Sequence, residues 1–213
     1  MPTYRLAIFD LDGTLADSFP WFLRIVNDVA REFDFRHIEP NDVAALRRMG
    51  SREILTFLGV PLWKVPMIAT RMRALKRSHL NDIRLFDGTA TMLQALSTAD
   101  IALALVSSDN EVNARQQLGP ENVALFSHFD CGATLFGKAS RFSRLVKRTG
   151  VSPHQTIAIG DEVRDFEASR AAGIAFGAVS WGYADPDMLR TLKPEHFFNN
   201  FDDIVFGVSG QKR

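Results

Sequence analysis

The sequence predicts a doubly wound, parallel α/β sheet, on three observations. Short runs suited to buried strands recur, Leu6-Ala7-Ile8-Phe9, Ile101-Ala102-Leu103-Ala104-Leu105-Val106 and Gln155-Thr156-Ile157-Ala158-Ile159-Gly160, as when a parallel strand is covered on both faces. Each run ends in polar residues. Between them lie segments with helical spacing, 89–99, 110–118, 138–149 and 163–172, and strands that alternate with helices build parallel sheets.

Further elements follow in order. Residues 173–179 supply another short strand and 195–198 an edge strand, giving five or six in all. Residues 18–85 break the alternation, with amphipathic helices near 19–33, 41–49, 51–58 and 62–79 and no convincing strand. Asn41, with Asp42 behind it, and Ser51 are the expected N-caps. The economical account is an all-helical insertion, 18–85, within a sheet domain of residues 1–17 and 86–213. Such an insertion leaves the sheet on the edge where the first strand ends, as a lid or as an extension of the core. The tail 209–213 is expected to fray.

Composition narrows the function. With 213 residues, 46% apolar content and 17 Phe, the chain can bury one sizeable core and a smaller one. Lys plus Arg and Asp plus Glu both number 25, so no global field favours nucleic acid or an anionic membrane. The single cysteine, Cys131, excludes an intrachain disulfide framework and suits a reducing compartment. The sequence lacks both a signal-peptide pattern and a run of the ~20 apolar residues that a membrane span needs. A soluble cytoplasmic protein, monomer or homodimer, is expected.

Candidate chemistry gathers at the strand ends. Asp10 and Asp12 follow the first run in Asp10-Leu11-Asp12-Gly13-Thr14, where open α/β sheets place reactive groups. Ser107 and Ser108 follow the second, Lys138 opens a helix, and Asp161 and Asp165 lie four apart in Gly160-Asp161-Glu162-Val163-Arg164-Asp165. Each has an ordinary structural reading: turn formers at Asp12-Gly13, a turn-forming Ser107, an exposed Lys138, helix-start acids at 161–165. Together they meet the needs of phosphoryl transfer to water. Asp10 suits a nucleophile that splits one displacement into two. Asp12 suits the acid that protonates the leaving alcohol and then the base that activates water. Mg²⁺ prefers oxygen ligands, and Asp10, Asp161 and the Asp12 carbonyl suit it, with Asp165 as a further or outer ligand. Lys138 and Ser107 supply the cation and hydroxyl that a charged transition state requires.

These four motifs, in this order and spacing, resemble a phosphatase of the haloacid dehalogenase superfamily, in its phosphoglycolate phosphatase-like branch. Leu15-Ala16-Asp17-Ser18, Ala171-Ala172-Gly173 and Val179-Ser180-Trp181-Gly182 extend the likeness over nearly the whole chain. The resemblance implies a Rossmann-like core, a helical cap inserted after the first motif, Mg²⁺ dependence, an aspartyl-phosphate intermediate, and a small phosphorylated metabolite as substrate. Substrate choice would then reside in the cap, where Arg47 and Arg52 flank Gly50 as candidate anion contacts, with Ser108 a further donor; solvated arginines are the plain alternative. Dehalogenase relatives usually lack the second acid, which is Asp12 here. Related phosphomutases carry a cap histidine where this chain has Phe22, and phosphonate-cleaving relatives use a cap lysine; Lys64 and Lys76 sit in no recognisable context for that role. One departure stands beside the second motif: Asp109 replaces a frequent lysine and alters how an anionic substrate is received. A non-catalytic metabolite- or partner-binding member and a phosphate-accepting receiver domain are the other readings.

Overall fold

The computed structural model describes residues 3–132 and 137–210. Six parallel strands form one sheet: β1 (Leu6–Phe9), β2 (Ala102–Val106), β3 (Phe126–Asp130), β4 (Thr156–Gly160), β5 (Ala175–Val179) and β6 (His196–Phe198), in spatial order β3-β2-β1-β4-β5-β6. The helices are α1 (Phe19–Phe33), α2 (Val43–Leu46), α3 (Ser51–Phe57), α4 (Val65–Ser78), α5 (Thr89–Thr98), α6 (Glu111–Val123), α7 (Lys138–Thr149), α8 (Val163–Ala172), α9 (Pro186–Thr191) and α10 (Phe201–Ser209).

Alternation along β1 explains the two layers. Ala7 and Phe9 join a core with Met92, Leu93 and Leu96 of α5, Leu118 of α6 and Ile204 of α10. Leu6 and Ile8 face the opposite way, onto Phe142 and Leu145 of α7, Ala168 of α8 and Leu189 of α9. Successive side chains of a strand point to opposite faces, so β1 must be apolar at every position, as it is. Its neighbours are β2 on one side and β4 on the other, with Phe9 level with Leu105 and Ile159. The strand order reverses there, which places the crevice of an open α/β sheet beyond the carboxyl ends of β1 and β4.

Residues 18–85 form helices and 3₁₀ turns, and Val26, Ile38, Leu46, Leu58 and Val60 make an apolar cluster of their own. The chain leaves and returns side by side: the Asp17 amide donates to the Arg84 carbonyl (2.8 Å) and the Phe86 amide to Leu15 (2.9 Å). No single described helix is long and apolar enough to cross a membrane.

Local expectations fail at identifiable places. The helix expected over 41–49 is a 3₁₀ turn, Pro40–Asp42, followed by α2, which ends at Leu46. Asn41 lies inside that turn, and Asp42 precedes α2 without a side-chain cap bond; its carboxylate accepts the Glu39 amide instead (3.2 Å). Ser51 is the first residue of α3, because extended Gly50 takes the cap position and Glu53 reaches back to its amide (2.8 Å). Ser209 belongs to α10, and residues 211–213 lie outside the described residues. Strand β3 and helices α9 and α10 have no counterpart in the sequence reading.

Phe176 on β5 is fully buried and meets Phe166 of α8 edge to face, ring centroids 5.8 Å apart. Phe176→Ala is expected to cost about 3–5 kcal/mol, read as a lowered urea midpoint at unchanged slope.

Candidate active site

Two clusters of charge stand at the carboxyl edge of the sheet. The first is built on β1 and β4. Asp10 continues β1, its amide bonded to the Ile159 carbonyl (3.0 Å). Its Oδ1 accepts the Leu11 amide (2.8 Å), while Oδ2 is buried, lacks an aligned hydrogen bond and lies 2.6 Å from Lys138 Nζ. Lys138, the first residue of α7, also donates to Asp165 Oδ1 (2.5 Å). Asp165 sits in the first turn of α8 and accepts the Glu162 amide with its other oxygen (3.2 Å).

Asp161 follows β4. Thr14 Oγ1 donates to its Oδ1 and the Tyr183 amide to its Oδ2, both at 2.8 Å. The loop between β1 and the helical segment curls onto this carboxylate through Gly13, whose φ of +79° disfavours an L side chain. A Cβ at Gly13 would overlap the Asp161 carboxylate and the Tyr183 ring, and one at Gly182 would overlap Asp161 from the loop beyond β5.

Ligand oxygens of Asp10, Asp161 and Asp165 can all lie within 4.8 Å of one another. Burial is the largest influence on the titration of these groups. Burial, then Glu162, Asp10 and Asp165, push the Asp161 carboxyl well above the usual range. Burial also raises Asp10, against the pull of Lys138. Burial opposes the Lys138 ammonium, yet Asp10 and Asp165 outweigh it and its pKa rises.

The second cluster joins the helical segment to the sheet. Lys76 of α4 is only 3% exposed. Its Nζ lies 2.6 Å from Asp12 Oδ1 and 2.9 Å from Asp109 Oδ2. Asp109 is fixed by the Asn110 amide (2.7 Å) and Asn113 Nδ2 (2.9 Å). One turn earlier on α4, Arg73 Nε donates to the Ser108 carbonyl (3.1 Å). Ser107 directly follows β2 in full burial, its hydroxyl accepting the Asp109 amide (3.1 Å).

The residues expected at the site thus fall into distinct places. Asp10, Lys138, Asp161 and Asp165 converge, Asp12 stands beside them under Lys76, and Ser107 directly follows the strand next to β1. Arg47 departs from its expected part as an anion contact. Its Nε donates to the Tyr183 carbonyl (2.9 Å) and its Nη2 to those of Gly182 (3.0 Å) and Ala184 (3.3 Å), so it ties the end of α2 to the loop behind Asp161. Arg52 is exposed on α3, and Ser108 is half-buried beneath Arg73. Lys76 escaped as a site residue because Arg71-Met72-Arg73-Ala74-Leu75-Lys76-Arg77 reads as a solvated basic face; the three-residue spacing of Arg73 and Lys76 was the available signal. Tyr183, whose hydroxyl meets Ser18 Oγ (3.0 Å), carried no signal at all.

The model of the family described as haloacid dehalogenase-like hydrolase matches residues 7–179. The chain belongs to that family. A phosphoglycolate phosphatase of Synechococcus elongatus is 32% identical over 203 residues, covering 95% of this chain and 96% of its own. The pyrophosphatase PpaX of Oceanobacillus iheyensis is 23% identical, covering 94% and 95%. Among solved structures, a haloacid dehalogenase-like hydrolase of Streptococcus pneumoniae superposes with a TM-score of 0.78 at 17% identity, covering 95% and 97%, a likeness of fold.

Two outcomes test this geometry. Gly13→Ala is expected to lose about 1–2 kcal/mol from the left-handed backbone alone and more from displacing Asp161, read as a lowered thermal midpoint. Cys131, half-buried and beside Glu111, Asp109 and Asp130, has its thiol pushed up to about 12. It remains protonated at pH 8, so iodoacetamide labelling of the folded protein should run far slower than of the urea-unfolded chain.

Proposed function

We propose that this protein is a Mg²⁺-dependent phosphatase that hydrolyses a small organic phosphate monoester through an aspartyl-phosphate on Asp10. The observation that carries the reading is the burial of Asp10 against Lys138, with Asp161 and Asp165 beside them, where β1 and β4 end in a chain of this family.

The donor set fits Mg²⁺: carboxylate oxygens only, from three buried acids, one of them an Asp10 oxygen with no aligned hydrogen bond. Asp10 and Asp161 would hold the ion with the Asp12 carbonyl, and Asp165 would join or steady them. When bound, Mg²⁺ neutralises charge on the acids and on the phosphoryl oxygens.

In the first half-reaction an Asp10 oxygen bonds to phosphorus as the ester oxygen departs and takes its proton from Asp12. In the second, Asp12 takes a proton from water, whose oxygen bonds to phosphorus and releases Asp10. Lys138 holds Asp10 in place and offers its charge to the equatorial oxygens, and Ser107 at the end of β2 offers a hydroxyl. Residues 18–85 act as the cap, excluding water and choosing the leaving group. Ser108 stands as an outer hydroxyl contact for the substrate. A single cysteine suits a reducing cytoplasm.

Asp10→Asn should reduce metal-dependent phosphate release across a panel of phosphorylated metabolites to the buffer rate while leaving the circular dichroism spectrum unchanged. EDTA should abolish wild-type release and added Mg²⁺ restore it. Turnover surviving in Asp10→Asn would remove the covalent intermediate.

A further inference from the structure

Lys76 is the cation that the helical segment brings directly to Asp12, and its charge is already spent. Asp109 Oδ2 and Asp12 Oδ1 both lie within ion-pair distance of one ammonium. The two carboxylates differ in how firmly they are held. The Asp109 side chain is 2% exposed and takes two further hydrogen bonds, from Asn110 and Asn113, whereas that of Asp12 is 22% exposed and has Lys76 as its only hydrogen-bond donor among the described residues. Asp109 is therefore a fixed counter-charge, and Lys76 stays balanced even when Asp12 turns to the ester oxygen.

Arg47 and Arg73, two further cations at this junction, donate to backbone carbonyls of 182–184 and of Ser108, and Arg48 faces Asp185 (3.5 Å). A carboxylate arriving beside Asp12 would meet a balanced ammonium and a nearby fixed negative charge, without an ion partner to repay its desolvation. A hydroxyl or carbonyl oxygen would need only a hydrogen-bond donor, and an ammonium has three N–H groups, one of which goes to Asp12.

Resting on the phosphatase reading above, we propose that Asp109 and Lys76 form a specificity-determining pair that selects phosphate esters whose leaving alcohol is uncharged and hydroxyl-bearing, and rejects those that carry a carboxylate there. The discrimination works by withholding a cation, a repulsive element rather than an added contact.

The test compares 2-hydroxyethyl phosphate with 2-phosphoglycolate, which differ by a hydroxymethyl group in place of a carboxylate, in the full chain with Mg²⁺. Wild type should show at least a tenfold higher kcat/KM for the hydroxyl compound. Asp109→Asn, which is close to isosteric and leaves Lys76 with one carboxylate, should narrow that ratio at least tenfold, chiefly by lowering KM for 2-phosphoglycolate. Adding Lys76→Met to Asp109→Asn should erase the gain. Equal wild-type rates, a wild-type preference for the carboxylate, or an Asp109→Asn loss shared equally by both compounds would overturn the proposal. The wild-type comparison decides even if a variant fails to fold. Silence toward both compounds and toward p-nitrophenyl phosphate would instead end the phosphatase reading itself, and this proposal with it.

Discussion

Burying Asp10, Asp161 and Asp165 with a single lysine is the constraint around which the rest of the molecule is arranged. Carboxylates lose hydration on burial and recover it only through hydrogen bonds and opposite charge. The fold supplies both from separate directions: backbone amides of Leu11, Glu162 and Tyr183, the Thr14 hydroxyl, and Lys138 between Asp10 and Asp165. Burial still leaves a deficit, since it raises the carboxyl pKa values of Asp10 and Asp161, for Asp10 against the pull of Lys138 and Arg164. A divalent cation would close it.

Glycine makes this crowding possible. The loop after β1 and the loop after β5 approach Asp161 from two sides, at Gly13 and Gly182, without room for a methyl group at either. Site precision is thus set by backbone packed directly against a carboxylate, and the two Asp161 oxygens are oriented by Thr14 and Tyr183 from those loops. β1, fully buried and paired on both sides, is the member least free to move.

The central strands and most sheet-domain helices were legible because each is covered on a predictable face: β1, β2 and β4 are apolar at nearly every position, and α7 and α8 begin and end where periodicity put them. β3 was not, since Phe126-Ser127-His128-Phe129-Asp130 is an edge strand with one buried residue, so burial wrote little pattern into it. The helix expected over 110–118 breaks at Gly119-Pro120 and resumes to Val123 beyond it. Asp10, Asp12, Ser107, Lys138, Asp161 and Asp165 could be singled out because strand ends are determined locally. The partners of Asp12 could not, because Lys76 reaches it across 64 residues through a packing of α4 that no local pattern encodes. The same limit applies to Arg47, whose carbonyl partners lie at least 135 residues away.

That arginine has a mechanical consequence. The carbonyls it grips, 182–184, belong to the loop whose Tyr183 amide holds Asp161, and the Asp185 amide returns a bond to the Arg47 carbonyl (2.7 Å). One short stretch of backbone therefore serves as a common anchorage, bearing the helical segment on its outer side and the carboxylate on its inner side. Load applied to the helical segment at Arg47 is transmitted to Asp161 through a few peptide units, so clearance above the site and the placement of its deepest acid are set by the same piece of chain.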